Sequence, residues 1–315
     1  MPSLASRALN AALRGLVKRR LRHGLSVATV RSVGATLERW VARGDLALPG
    51  ERVAAGRVDC ECFGPQGADE ERILLYLHGG GFMAHLPVAY RVFARQLSVA
   101  LGARVLLPDS RLAPEHPFPA GPDDCLDAYR WLLAQGINAK RIVIAGDSAG
   151  GNLALVTAIR IRDAALPAPG CVVMLSPATD LTGASASLRY NAGRDPLLVP
   201  EALEFVRATY APGADWRHPW LSPICDSLQR LPPLLFHAGS PELLVDDSIR
   251  AADKARWAGV TAELEVWPGM PHVFQMMSVL PEAREAVVRI ARFVREHVPA
   301  PLSGAETTAV LEMRA

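Results

Sequence analysis

The sequence lacks a long hydrophobic run, an excess of charge of either sign and any internal repeat. No apolar stretch reaches the roughly 20 residues that a membrane-spanning helix needs, so we expect no integral membrane contact. The 34 Lys and Arg residues nearly balance the 32 Asp and Glu residues, which leaves a formal net charge of +2. This balance gives no reason to expect nucleic acid as a partner.

Cysteine is scarce and scattered. The five cysteines include no C-x-x-C pair, and Cys60 and Cys62 have the spacing of a strand. We therefore expect buried free thiols rather than disulfides or metal ligands, which favours a reducing compartment and predicts a cytoplasmic protein. The sequence also lacks a G-x-G-x-x-G stretch and a lysine-bearing phosphate loop, so a nucleotide is not expected.

Residues 1–48 read as one or two amphipathic helices, broken near His23-Gly24 and ending around Gly44-Asp45. Basic and apolar residues interleave here, and the set comprises Leu9, Leu13, Arg14, Leu16, Val17, Lys18, Arg19, Arg20, Leu21 and Arg22. No uninterrupted apolar segment of a secretory signal follows. We favour a helix with a solvated basic face, and contact with a membrane surface stays open as the alternative.

Strands and helices alternate through the rest of the chain, which predicts a mostly parallel sheet of about eight strands covered on both faces. The predicted strands are 56–63 (antiparallel), 72–77, 103–107, 141–145, 171–175, 233–238 and 262–267, and the helices are 90–101, 123–134, 152–163, 247–258 and 282–298. One long interruption, residues 181–231, has a helical piece near 200–210. An insertion of this length is usually functional, such as a lid.

A G-x-S-x-G pentapeptide, Gly146-Asp-Ser-Ala-Gly150, separates a strand from a helix. A serine on such a tight turn projects its hydroxyl above the sheet, and the following helix directs N–H groups towards charge that develops near it. An ordinary strand-to-helix turn is the alternative. We predict Ser148 as a nucleophile.

A serine hydroxyl needs a base, and the base needs a third group to hold it. Among eight histidines, His272 stands out because it follows the last strand in a loop of turn residues, Pro268-Gly-Met-Pro-His272. The acid should leave the preceding strand. Glu242 is nearest that strand end, whereas Asp246 and Asp247 look like the N-cap and first turn of the next helix. We choose Glu242 and keep Asp246 in reserve.

The tetrahedral intermediate of acyl transfer requires hydrogen-bond donors. The segment His78-Gly79-Gly80-Gly81 follows a buried strand and offers N–H groups unobstructed by side chains, and Ala149 N–H offers another. A flexible loop or a phosphate cradle is the alternative for the glycine triplet.

These stretches together resemble the hormone-sensitive-lipase-like family of α/β-hydrolases. The matching segments, which run from about residue 70 to 275, are His78-Gly-Gly-Gly-Phe82, Arg111-Leu-Ala-Pro-Glu-His-Pro-Phe-Pro-Ala120, Gly146-Asp-Ser-Ala-Gly-Gly151, Ser176-Pro-Ala-Thr-Asp180, 239–248 and 269–274. The resemblance implies an α/β-hydrolase fold with a helical cap, and carboxylester hydrolysis by Ser148, Glu242 and His272. It further implies an oxyanion hole formed by Gly80, Gly81 and Ala149.

The resemblance also implies a domain organisation. We expect cap helices at 1–48, a catalytic domain at 49–298 with the cap insertion at about 181–231, and a flexible tail at 299–315. The cap residues Leu197, Leu198, Leu203, Phe205, Trp216 and Trp220 suggest an apolar pocket wall, with ordinary helix packing as the alternative. Glu115 falls on a family position that braces the active-site loops.

Two positions depart from the family, which commonly has Tyr where Ser110 stands and Asp where Glu242 stands. The expected substrate is a small-molecule ester with a short to medium acyl chain, and we expect no cofactor and no bound metal. An amidase, lactonase or carbamate hydrolase with the same triad, or a ligand receptor that kept only the fold, are the alternatives. Because His272 is present, an enzyme is favoured over a receptor. A homodimer remains open.

Overall fold

The computed structural model of the protein describes residues 2–41, 50–64 and 69–299. The predicted helix end at Gly44-Asp45, the predicted domain boundary at 48/49 and most of the predicted tail lie outside these residues. None of the described helices is both long enough and apolar enough to cross a membrane.

Eight strands form one sheet in the order β1-β2-β4-β3-β5-β6-β7-β8. The strands are β1 (Glu51–Ala55), β2 (Val58–Phe63), β3 (Asp69–Leu77), β4 (Ala103–Pro108), β5 (Ile142–Asp147), β6 (Cys171–Leu175), β7 (Leu234–Gly239) and β8 (Ala262–Trp267). Strand β2 pairs antiparallel with β1 and β4, and the remaining pairs are parallel. The mostly parallel eight-stranded sheet predicted from the sequence is therefore confirmed.

The helices are α1 (Leu4–Ala12), continued by a π-helical segment (Leu13–Lys18) and α2 (Arg19–Arg22), then α3 (Val27–Val41), α4 (Pro87–Leu101), α5 (Ala120–Ala134), α6 (Ala149–Asp163), α7 (Ser187–Tyr190), α8 (Ala202–Tyr210), α9 (Val245–Trp257) and α10 (Pro281–His297). The predicted strand 56–63 is in fact the second half of a hairpin, because Gly56 has a φ of 70° and turns the chain after β1. Strand β1 escaped prediction because its side chains are largely exposed.

The central strands are buried on both faces, since neighbouring residues along a strand point to opposite sides. Ile144 of β5 packs in the core beneath α5, α6 and α9, whereas Val143 packs in the core beneath α4 and α10. The continuous apolar runs follow from this double burial.

Helices from two distant parts of the chain lie over the sheet. The N-terminal helices contribute Leu13, Val17 and Val33 to a small cluster against which Leu197 of the insertion packs. The buried ammonium of Lys18 donates to the backbone oxygens of Ala192 (2.9 Å) and Asp195 (2.6 Å). The two segments therefore pack together as one helical cap.

Candidate active site

Ser148 stands at the turn between β5 and α6 with a φ of 53°, a left-handed backbone conformation for a residue that is not glycine. The turn is tight enough to require glycine on both sides. A Cβ on Gly146 would collide with the Gly150 carbonyl, and a Cβ on Gly150 would collide with the Leu77 carbonyl. The glycines of the pattern are therefore required by steric crowding, and Ser148 is half-buried.

His272, in the loop after β8, reaches the serine. Its Nε2 lies 2.9 Å from Ser148 Oγ, and its Nδ1 lies 2.7 Å from Glu242 Oε2. The carboxylate accepts a hydrogen bond from Nδ1–H, so the ring proton stays on Nδ1 and Nε2 of the neutral ring is free to accept the serine proton. Burial by itself lowers the pKa of His272, but the hydrogen bond and negative charge of Glu242, with smaller contributions from Asp195 and Asp147, raise the pKa above its usual value.

Glu242 is fully buried in the loop after β7. While Oε2 faces the imidazole, Oε1 accepts from the Ser176 hydroxyl at 2.8 Å and from the backbone N–H of Gly239. These donors compensate for the loss of water around a buried carboxylate and fix its orientation.

The reserve candidate Asp246 is engaged elsewhere. Its carboxylate accepts from Ser187 N (2.8 Å) and from the Tyr190 hydroxyl (2.6 Å), both in the insertion. Asp246 and Asp247 do lie in the first turn of α9, although the residue at the N-cap position is Leu244. Of the two predicted acids, the fold brings only Glu242 to His272.

Ser176 is the residue that sequence reasoning missed. It follows β6 with a φ of 50°, and its hydroxyl both donates to Glu242 and accepts from Val273 N at 3.2 Å. It therefore joins the acid loop to the histidine loop. The signals in the sequence were its place directly after a buried strand and its position at the start of the family-like segment Ser176-Pro-Ala-Thr-Asp180.

The glycine triplet curves past the serine turn. Gly80 has a φ of 100°, and a Cβ there would collide with the Ala84 carbonyl. Gly79 N–H donates to Asp147 Oδ1 at 3.1 Å. Within the described residues, the N–H groups of Gly80 and Gly81 have no protein acceptor, and Ala149 begins α6, where N–H groups have no intrahelical acceptor. All three residues border the same cavity as Ser148.

Asp147, the residue before the nucleophile, holds the glycine loop through the hydrogen bond from Gly79 N–H. It is buried and accepts from the Tyr76 hydroxyl at 2.8 Å and the Tyr90 hydroxyl at 3.3 Å, besides Gly79 N–H. Burial raises the pKa of Asp147 to about 6, against the opposing effect of these hydrogen bonds. The residue before the nucleophile thus couples the serine turn to the glycine loop.

His78 supports the loop as a neutral, buried ring. Its Nδ1 lies 2.8 Å from Gly79 O, and Ser110 Oγ lies 3.3 Å from Nε2, so the residue that departs from the family pattern still contacts the loop. Burial lowers the pKa of His78 to about 3. Ligand-type atoms of His78, His85 and Asp109 lie within 4.8 Å of one another. The two rings, however, are stacked at 4.4 Å, so their in-plane lone pairs do not converge as metal ligation requires, and no metal site is assigned.

Glu115 forms an ion pair with Arg31 of the cap. The Arg31 guanidinium of α3 donates to both of its carboxylate oxygens (2.8 and 2.7 Å) and to the carbonyl of Met83 (2.9 Å), just beyond the glycine loop. The pKa of Glu115 is lowered to about 2 by the hydrogen bonds from Arg31. Glu115 therefore links the loop that contains it to a cap helix.

A cavity of about 540 Å³ extends from Ser148 and His272 between the sheet and the cap. The N-terminal helices contribute Leu9, Leu13, Leu21 and Val33 to its wall, and Met277 faces them. Of the apolar cap residues singled out in the sequence, Leu197, Leu198, Leu203 and Phe205 border the cavity. Trp216 and Trp220 are not among its described lining residues, and their rings stack instead with the guanidinium groups of Arg207 and Arg160.

The sequence and the fold both match known proteins. A family model described as alpha/beta hydrolase fold matches residues 74–276. An acetyl-hydrolase from Streptomyces hygroscopicus is 40% identical over 256 residues, 81% of this chain and 85% of its own. An esterase from Acinetobacter venetianus is 38% identical over 232 residues, 72% of this chain and 75% of its own.

Solved structures agree with these matches. The crystal structure of EstE5 soaked with ethyl alcohol superimposes with a TM-score of 0.88 at 36% identity, covering 95% of this chain and 100% of that one. An esterase from the bacterial hormone-sensitive lipase family gives a TM-score of 0.87 at 36% identity, with the same coverage.

Proposed function

This chain belongs to the hormone-sensitive-lipase-like family of α/β-hydrolases and is a carboxylic ester hydrolase, and we propose that Ser148, His272 and Glu242 perform the reaction on esters with a short to medium acyl chain. The observation that carries the proposal is the continuous chain of hydrogen bonds from Ser148 Oγ through His272 to Glu242, at 2.9 and 2.7 Å.

In the proposed mechanism, His272 Nε2 takes the proton of Ser148 as Oγ attacks the ester carbonyl carbon. Negative charge moves to the carbonyl oxygen, where the N–H groups of Gly80, Gly81 and Ala149 stabilise it. The C–O bond to the alcohol then breaks, and the imidazolium protonates the departing alcohol. Water, deprotonated by His272, releases the acid from Ser148 in the second half of the reaction.

The apolar cavity supports the proposed range of acyl chains. Its wall of leucine, valine and methionine side chains offers hydrophobic burial to a hydrocarbon chain, worth about 0.8 kcal/mol for each CH₂ that leaves water. We expect kcat/KM to rise from acetate to longer esters until the cavity is filled. Met277→Trp, which occupies part of this volume, should reduce the rate on octanoate more than on acetate.

The deciding experiment is a pre-steady-state assay with a p-nitrophenyl ester. Wild-type protein should release a burst of nitrophenol equal to the enzyme concentration, provided that deacylation limits turnover. Ser148→Ala should lose the burst and at least 10³-fold in kcat, with its thermal midpoint nearly unchanged. Residual activity within tenfold of the parent would exclude Ser148 as nucleophile. Binding without turnover in the wild type would favour the receptor alternative, and an anilide substrate tests for amidase activity.

We further propose a cytoplasmic location, supported by the five cysteines, which are all unpaired thiols. A homodimer is the remaining proposal. Strand β8 ends the sheet, with half-buried side chains along most of its length, and the nearby Trp257 is 88% exposed. Cell fractionation tests the proposed location, and sedimentation equilibrium tests the proposed homodimer.

A further inference from the structure

A crevice of about 420 Å³ opens beside the first helix of the cap, and basic side chains wall it. The residues of this basic crevice are Arg14, Lys18, Arg19, Arg22, His23 and Gly193. Its three arginines, Arg14, Arg19 and Arg22, are exposed. In the parts of the chain that the structure describes, none of these three arginines is ion-paired with a carboxylate. No acidic residue precedes Glu38 in the sequence, so no carboxylate of residues 1–37 offsets the positive charge of the crevice.

The crevice is held in place by Lys18, whose ammonium is anchored to the carbonyls of Ala192 and Asp195. The negative charges of Asp195 and Glu201 raise the pKa of Lys18, against the lowering by burial. Asp195 is buried, and its oxygens accept backbone N–H groups, Leu243 N–H among them, so it does not neutralise the outer arginines. Exposed guanidinium groups without carboxylate partners offer paired N–H donors, which phosphate oxygens accept in a bidentate manner.

The same helix also exposes large apolar side chains. Leu16, which lies between Arg14 and Arg19, is 61% exposed, and Leu4 is 81% exposed. Leu16 belongs to the π-helical segment, a feature that often marks functional sites in helices. Exposed leucine among basic residues is typical of helices that lie in the interface of a membrane.

The inner side of this helix lines the catalytic cavity, through Leu9, Leu13 and Leu21. Val279 borders the same cavity and is 70% exposed, so the cavity opens to solvent near this residue. Met277, two residues earlier, packs on the leucines of the helix. The helix therefore lies between the outer surface of the cap and the cavity that holds Ser148.

We propose that the helix of residues 4–22 docks on an anionic lipid surface, with the basic crevice binding lipid phosphate groups and Leu16 entering the interface. The charge of the cytoplasmic leaflet, which is rich in anionic lipids, complements the crevice. Nucleic acid would also supply phosphates. The exposed leucines and the adjoining apolar cavity favour lipid, because neither has a counterpart in a phosphate backbone.

Sedimentation with vesicles tests the proposal without reference to catalysis. The wild type should bind vesicles of phosphatidylcholine with phosphatidylglycerol, and much more weakly vesicles of phosphatidylcholine alone. Removing three charges (R14Q/R19Q/R22Q) should weaken binding roughly 100-fold, since each basic residue near an anionic surface contributes about fivefold. Leu16→Ser should weaken it severalfold. Binding should decline at about 1 M salt, where the Debye length falls to about 3 Å.

A matched triple variant, R57Q/R130Q/R295Q, removes three exposed arginines elsewhere and should bind vesicles like the wild type. All variants should hydrolyse a water-soluble p-nitrophenyl ester within twofold of the parent rate and keep its thermal midpoint. Equal binding to both kinds of vesicle, equal losses in the two triple variants, or tighter binding to polyuridylate than to vesicles would overturn the proposal.

Discussion

The hydroxyl of Ser176 donates a 2.8 Å hydrogen bond to Glu242 Oε1, on the opposite side of the carboxylate from His272. Ser176 follows β6 and Glu242 follows β7, so the bond joins two loops at the carboxyl edge of neighbouring parallel strands. The orientation of the acid thus depends on a residue that does not contact the imidazole ring.

Replacing Ser176 with alanine should lower kcat by about 10- to 100-fold. A hydrogen bond to a charged group contributes about 1.5–3 kcal/mol, and its loss lets the carboxylate turn from the imidazole. Stopped-flow measurement of acylation checks this expectation. Ser222→Ala is the control, because it removes another buried hydroxyl, one that accepts from Leu181 N. Equal activity losses in the two variants would show a general effect of packing.

Replacing each candidate acid with its amide should show which of the two acts with His272 in catalysis. We expect Glu242→Gln to reduce kcat by about 10⁴-fold, because an amide stabilises the wrong tautomer of His272 and cannot stabilise the imidazolium. Asp246→Asn should stay within about threefold, since its partners belong to the insertion. Steady-state kinetics of both variants on one aryl ester measures the two losses. A larger loss of kcat in Asp246→Asn than in Glu242→Gln would assign the role of the triad acid to Asp246.

The pH profile should report the raised pKa of His272. The base must be neutral to accept a proton, so kcat/KM should fall as pH drops through this pKa, with a midpoint above 6.5. In Glu242→Gln the largest of the contributions that raise the pKa is gone, while burial still lowers the pKa. The midpoint of the residual activity should therefore move to lower pH. An unshifted midpoint would mean that another group controls the acid limb.

Gly80→Ala should cost about 10²–10³-fold in kcat, the range for a lost oxyanion donor. The new methyl group would collide with the Ala84 carbonyl at a φ that alanine rarely adopts, so the N–H groups of the loop must move. Gly24→Ala serves as the control, because a methyl group there meets no atom within 4 Å. A rate close to the wild type in Gly80→Ala would place the oxyanion elsewhere.

Arg31→Met should raise KM several-fold and speed proteolysis within α3, whereas Glu115→Gln should have an effect below threefold. Arg31 also donates to the carbonyls of Met83 and Ala113 (3.3 Å), so its loss removes more than the exposed ion pair. An exposed ion pair alone contributes little to stability, because water and salt screen its charges. Arg39→Met, on the same helix, is the control. Identical effects of the Arg31 and Glu115 variants would assign the whole contribution to the ion pair.

Much of the fold and part of the site could be read from local patterns. Double burial of the central strands produces unbroken apolar runs, and strand–helix alternation follows from parallel pairing. Ser148 was recognisable because steric crowding around its turn demands glycine at 146 and 150. His272 was recognisable from its place among turn residues after the last strand. Strand β1 was missed because its exposed face carries no apolar signal.

The sequence by itself determined the order of elements and the chemistry at two loop tips, because periodicity and turn sterics act between residues near in the chain. Only the tertiary structure decided between Glu242 and Asp246, revealed Ser176, and brought Arg31 to Glu115. The two acids are four positions apart in the chain, and both follow the same strand. Which one reaches the imidazole depends on the adjacency of β6, β7 and β8, and on the insertion that engages Asp246. Contacts between residues this distant in sequence leave no local pattern to read.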